Sequence, residues 1–158
     1  MQVLILYYSK GGNTKSMAES IAKGVESVGV KAVLKNTDEV AKDDFLNSQG
    51  VIAGSPVYFG VMAAQLKRIF DEFVGTRKKM ENKVGAAFAT AGHPTGGKET
   101  TIMSIIQCML IYGMIVVGDP MSATGHYGVA SVGAPDYNIA DDAEKLGVRV
   151  AELCKKLG

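Results

Sequence analysis

The chain has 158 residues, 47% hydrophobic and 21% charged, with a formal net charge of +1; that is enough for one ordinary domain with a full core, and it offers no field to steer the protein toward nucleic acid. Two cysteines, Cys108 and Cys154, make neither a metal spacing nor a disulfide framework, so a reduced cytoplasmic protein is expected. The N-terminus has no basic, signal-like segment, and the longest apolar stretch, Ile102 to Val117, is broken by Ser104, Gln107 and Gly113 and is too short to span a bilayer.

Val3 to Tyr8 is an apolar run of strand length that stops at Ser9-Lys10-Gly11-Gly12-Asn13-Thr14. A helical pattern follows, with Met17, Ala18, Ile21, Ala22, Val25 and Val28 on one face. Strand, tight loop and helix gather backbone N–H groups at a helix N-terminus, where free donors and the macrodipole favour an anion. Ser9, Asn13 and Thr14 add side-chain donors, and Gly11 and Gly12 allow close approach to a phosphate. The loop is neither the dinucleotide fingerprint nor a P-loop, because the third glycine and the Gly-Lys-Ser/Thr ending are both missing. A plain Gly-Gly turn with Thr14 capping the helix is the other reading, and the loop alone leaves both open.

Farther along, Val30 to Lys35 mixes apolar residues with lysines, as an exposed edge strand does. Thr37 to Asn47 is polar with one helical turn near Asp43 to Leu46, and Gly50 to Gly54 is a short buried strand ending at Ser55-Pro56. Leu66, Ile69, Phe70 and Phe73 mark a helix from about Ala63 to Val74, and Arg77-Lys78-Lys79 reads as a solvated loop. Lys83 to Ala91 is the fourth strand, Glu99 to Tyr112 a helix apolar almost all round, and Met114 to Val117 the fifth strand. A long Gly- and Ser-rich connection, Gly118 to Tyr137, leads to a last helix with Asn138 as N-cap and Asp141 near a capping-box position. Five strands alternating with helices give an α/β fold, a parallel sheet covered on both faces, whose ligands bind beyond the carboxyl ends of the strands.

Two more loops reach that end. Gly54-Ser55-Pro56-Val57-Tyr58-Phe59-Gly60 is stiffened by proline and exposes two aromatics suited to a flat conjugated ring, although a lone Tyr-Phe pair more often faces the core. Thr90-Ala91-Gly92-His93-Pro94-Thr95-Gly96-Gly97 leads into a second helix N-terminus. His93 is given no catalytic role; His126 in the long connection either sits over a bound ring, reaches a neighbouring subunit or is simply exposed.

The first stretch resembles the flavodoxin signature at Ile5-Leu6-Tyr7, Ser9, Gly12, Thr14, Ala18 and Ile21. The second loop resembles the isoalloxazine loop of FMN oxidoreductases, and the third, with Glu99-Thr100-Thr101-Ile102, looks like the tryptophan-repressor-binding-protein group of FMN-dependent NAD(P)H:quinone oxidoreductases, usually tetramers. The likeness spans nearly the whole chain and implies a flavodoxin-like three-layer sandwich with a five-stranded parallel sheet of order 2-1-3-4-5. It also implies a single FMN-binding domain. By that likeness Ser9, Lys10, Gly11, Gly12, Asn13 and Thr14 hold the phosphate and ribityl chain. Pro56, Val57, Tyr58, Phe59 and Gly60 flank the isoalloxazine, while Thr90, Ala91, Gly92, Thr95, Gly96 and Gly97 close over it. The chain departs from the group in three places: a shorter segment between strands two and three, no tryptophan after Gly75, and Ile111-Tyr112-Gly113 where paired histidines often stand. The Gly54 to Gly60 string also occurs in iron–sulfur flavoproteins, but two scattered cysteines cannot hold a cluster that usually takes four.

The expected function is therefore an FMN enzyme passing electrons from NAD(P)H to a quinone or similar acceptor, with no side-chain acid or base required and no metal. The alternative is a flavodoxin-type one-electron carrier, against which the near-neutral charge argues because such carriers present an acidic face. A non-enzymatic adaptor fits poorly with three intact ligand loops. The apolar helix from Glu99 to Tyr112 has an outer face that a single helix layer cannot bury, which predicts a homodimer or homotetramer.

Overall fold

A computed structural model describes residues 1–158. Strand β1, Gln2–Tyr7, sits between parallel neighbours β2, Lys31–Asn36, and β3, Gly50–Tyr58. Buried on both faces, it needs apolar residues at every position rather than at alternate ones, which is why Val3 to Leu6 read as a continuous run. β2 is the half-exposed edge that its lysines suggested. Beyond β3 lies β5, Val84–Ala91, with all eight residues buried.

The fifth position of the sheet is built from two pieces. β6, Ile115–Val116, pairs with Val84 and Gly85 of β5, and β7, Val129–Val132, pairs with Phe88 to Ala91. The chain thus leaves the sheet after Val116 and re-enters it at Val129. The sequence pattern predicts a single strand at Met114 to Val117 and none between Gly118 and Tyr137, because the four residues of β7, bounded by glycines, are too short to show a period. Order 2-1-3-4-5 holds once β6 and β7 are taken as one place in a parallel sheet of order β2-β1-β3-β5-β6.

β3 also differs from its expected end at Gly54. It runs to Tyr58 and turns through Phe59-Gly60 into a short antiparallel strand β4, Val61–Met62. Pairing with β1 ends at Gly54, so Pro56 has a neighbour only on the β5 side, opposite Thr90. A residue without an N–H is tolerated there. Phe59 and Gly60 have φ of 52° and 80°, the left-handed pair that a two-residue hairpin needs.

Helices α1, Asn13–Ser27, and α5, Tyr137–Leu157, cover one face; α2, Lys42–Asn47, α3, Ala64–Glu72, and α4, Lys98–Ile111, cover the other. Residues 74–79, including Arg77-Lys78-Lys79, form a 3₁₀ helix rather than a loop. α1 and α5 touch through glycines: a Cβ on Gly24 would lie 2.0 Å from the Glu144 carbonyl oxygen, and one on Gly147 2.2 Å from that of Ile21. The N-cap of α5 is Asp136, whose Oδ1 accepts from the Ile139 N–H at 2.9 Å, so Asn138 and Asp141 lie inside the helix instead of at its cap. Tyr112 is buried among Phe45 and Phe70 and donates to the Phe70 carbonyl at 2.6 Å. No helix is long and apolar enough to cross a membrane.

Candidate functional site

At the carboxyl ends of β1, β3 and β5 a cleft of about 500 Å³ is lined by Ser9, Lys10, Gly11, Asn13, Thr14, Pro56, Tyr58 and Thr90. All eight were singled out in the sequence, and the sheet brings the three loops together as expected of strands that meet side by side. Thr14 does not cap α1. Its hydroxyl reaches across to that of Thr90, 2.8 Å away and buried. The N-cap is Gly12, left-handed at φ 94°, with no side chain bonded to the helix end. Its own N–H donates to Ser9 Oγ at 3.1 Å, which closes the turn.

The first intrahelical bond of α1 runs from Ser16 N–H to the Gly12 carbonyl at 2.9 Å, so the N–H groups of Asn13, Thr14 and Lys15 come before it and point out of the helix end. Nothing lies within 4 Å of where a Cβ would stand on Gly11 or Gly12. An open cradle of amides and hydroxyls beside one exposed lysine is the donor set of a phosphate-ended ligand. The aromatic wall is Tyr58, with Tyr8 packed edge-on at 6.2 Å between ring centroids. In the sequence Tyr8 reads as the last residue of a core strand; β1 ends at Tyr7, and Tyr8 lies beside the cleft through its contact with Tyr58. Burial, then the neighbouring Tyr58, pushes the Tyr8 phenol above its ordinary value.

The remaining expected residues frame the cleft without lining it. Phe59 stands fully exposed at the hairpin tip, and Val57 is paired with Met62. Gly60 and Gly97 are in close approach: a Cβ on Gly97, itself at φ 97°, would lie 3.0 Å from the Gly60 Cα, so the second and third loops lock together only with glycine there. Ala91 is buried at the end of β5, Gly92 and Thr95 are exposed, and Gly96 N–H closes a turn onto the His93 carbonyl at 3.0 Å. His93 Nδ1 faces Thr95 Oγ1 at 3.0 Å on the surface of that turn.

The family model described as NADPH-dependent FMN reductase matches residues 1–128. The chain belongs to the NADPH-dependent FMN reductase family. It is an FMN-binding flavoprotein, and the amide and hydroxyl cradle fits the phosphate of that group. Relatives of this chain include a protein named flavodoxin from Aquifex aeolicus, 35% identical over 96% of this chain and 85% of its own length. Another, named NAD(P)H dehydrogenase (quinone), comes from Archaeoglobus fulgidus and is 31% identical over 99% of this chain and 98% of its own. The solved structure of a flavodoxin from the domain Archaea superposes with a TM-score of 0.83 at 28% identity, covering 98% of this chain and 99% of that one. A flavodoxin, WrbA-like protein from Agrobacterium tumefaciens gives 0.86 at 22% identity, with 99% of each chain covered, a likeness of fold.

Two further clefts lie elsewhere on the chain. One, of about 490 Å³, is edged by α1, α5 and Pro120 to Ser122. Its lining is mostly polar and charged, with Asp141, Glu144, Lys145, Arg149 and Glu152 from α5. The other, of about 320 Å³, lies between the start of α4, the start of α5 and residues 124–130, and contains His126.

Proposed function

We propose that the protein is an FMN-dependent oxidoreductase that takes two electrons from NAD(P)H and delivers them to a quinone or similar small acceptor, converting NAD(P)H, a proton and quinone into NAD(P)⁺ and hydroquinone. The observation that carries this reading is the convergence of three loops on one cleft beyond β1, β3 and β5, beside a helix end left uncapped. Bound FMN supplies the redox chemistry. The residues of the chain bind and orient it. Ser9, Lys10, Gly11, Gly12, Asn13 and Thr14 hold the phosphate and ribityl chain. Pro56 and Tyr58 form the wall beside the ring, with Val57, Phe59 and Gly60 framing it in the hairpin and Tyr8 packed edge-on against Tyr58. Thr90, Ala91, Gly92, Thr95, Gly96 and Gly97 close the third side.

The whole chain acts as a single cytoplasmic FMN domain. It self-associates as a dimer or tetramer through the outer face of α4, where Met103, Leu110 and Ile111 are 38%, 58% and 63% exposed. A clean monomer by size-exclusion chromatography with light scattering would remove that assembly.

The deciding experiment is anaerobic. FMN-loaded protein is mixed with NADH or NADPH and the flavin absorbance followed. Rapid bleaching that added quinone reverses is the expected result. A flavin inert to both nucleotides, though reducible by dithionite, would favour the second reading, an electron carrier; the relative named flavodoxin motivates that reading, and the net charge of +1 weighs against it.

A further inference from the structure

The insertion between β6 and β7 is held in place by one face of α5. Asp142 Oδ2 accepts from Thr124 Oγ1 at 2.6 Å and from Thr124 N–H at 3.1 Å. Lys145 Nζ donates to the Ser122 carbonyl at 3.2 Å, and an Arg149 guanidinium nitrogen to the carbonyls of Gly118 and Asp119 at 3.0 and 2.5 Å. Asp142, Lys145 and Arg149 recur at helical spacing, so α5 clasps the insertion at four points along its length. Gly118 and Gly128 let the segment lie close: their Cβ atoms would meet the carbonyls of His126 and Ala87 at 2.3 and 2.1 Å.

The clasp places His126 and Tyr127 in the lining of the same cleft of about 320 Å³ as Lys98. Its lining includes the apolar Ile102 and Ile139 and also Asp142, whose carboxylate is engaged by Thr124, and its volume is at the lower end of that of ligand pockets. Lys98 is half-buried and makes no ion pair or hydrogen bond; Glu99 and His126, which share the cleft, are unpaired as well. The Tyr127 ring is 54% exposed. The first turn of α4 separates this cleft from the proposed flavin site, for Gly97 and Thr100 on its other side lie against Gly60. The intervening body is one helix, about 10 Å across, a span that an extended dinucleotide bridges.

We propose that this cleft takes the adenosine diphosphate end of the nicotinamide dinucleotide, with Lys98 on a phosphate and Tyr127 against the adenine, while the nicotinamide end reaches the flavin site. Glu99 accepts from a ribose hydroxyl. The proposal rests on the oxidoreductase reading above and adds to it where the reductant's distal half binds.

The test uses FMN-loaded protein, the better of NADH and NADPH, the truncated donor reduced nicotinamide mononucleotide, and ADP-ribose as competitor. Expected are competitive inhibition by ADP-ribose and a KM for the dinucleotide that rises about tenfold in Lys98→Ala and in Tyr127→Ala. The KM for the truncated donor and the FMN affinity stay unchanged in both variants. Inhibition that is not competitive, as a separate regulatory nucleotide site would give, overturns the proposal. So do variants that leave the dinucleotide KM alone or raise both KM values equally. A wild-type protein that oxidises neither donor overturns the oxidoreductase reading itself, whereas one that oxidises both with equal KM overturns the distal site alone.

Discussion

Thr14 and Thr90 meet across the cleft, their hydroxyl oxygens 2.8 Å apart and buried, though 76 positions separate them in the chain. One bond ties the first turn of α1 to the end of β5 and fixes the width of the site. A hydroxyl stripped of its partner there loses a hydrogen bond that water cannot replace, at a cost of about 1–3 kcal/mol. Thr14→Val and Thr90→Val are each expected to lower FMN affinity by about tenfold or more. The double variant should cost less in stability than the two singles added, because neither hydroxyl is then orphaned. Flavin-fluorescence titration and urea denaturation check both parts.

Tyr58 lines the cleft and Phe59 does not, although the two stand side by side in the sequence. Tyr58→Ala should weaken FMN binding by roughly 1 kcal/mol or more through lost ring contact. Phe59→Ala, at a fully exposed tip, should leave stability within about 0.5 kcal/mol of wild type. Equal loss of FMN affinity in the two variants would show that the hairpin tip folds over the ring.

High pH should destabilise the fold. Burial pushes the Cys154 thiol from 9.0 up to about 11 and the Tyr112 phenol from 10.0 up to about 12. The folded chain then binds protons more tightly than the unfolded chain, so stability is full below pH 9 and falls as pH rises toward 12, by an amount on the order of 2 kcal/mol for each group. Denaturant midpoints measured between pH 8 and 11 should decline, and Cys154→Ala should flatten the decline that begins near pH 9.

Asp142 works in the opposite direction. Burial raises its carboxyl, but hydrogen bonds from the Thr124 hydroxyl and N–H and from Lys145 outweigh that, and the net value is lowered. Its contribution is present above the unfolded carboxylate value near 3.8 and is lost as pH falls through the lower folded value. Asp142→Asn is expected to speed amide hydrogen exchange across residues 118–128 at neutral pH while leaving β1 and β3 protected.

Gly147 and Gly24 allow α1 and α5 to lie in backbone contact. Gly147→Ala would place a methyl about where the Ile21 carbonyl stands, and should cost about 1–3 kcal/mol by overpacking even though alanine is the better helix former. Urea denaturation with an unchanged m-value is the check.

The sequence by itself determined the elements whose signal is local. β1 is buried on both faces, so its apolar run was unmistakable, and the break at Ser9 to Thr14 marked a helix start with free donors. The alternation of strands and helices implied a parallel sheet, and the residues lining the main cleft all stood in three short strings. The tertiary structure alone decided what depends on a partner distant in the chain. β3 continues through Pro56 because β5 offers a neighbour on the one side where proline needs no N–H. β7 exists because Phe88 to Ala91 present an open edge, which four residues between glycines do not announce. Tyr8 packs beside the cleft because Tyr58 returns to meet it, and Phe59 stands at an exposed tip because a two-residue turn carries it past the lining residues. Thr14 bonds to Thr90 rather than capping its helix, since the sheet sets them side by side and no local pattern could. The same holds for the insertion: it reads as a long Gly- and Ser-rich connection of the kind that carries function or an interface, but that α5 holds it at four points depends on side chains distant in the chain.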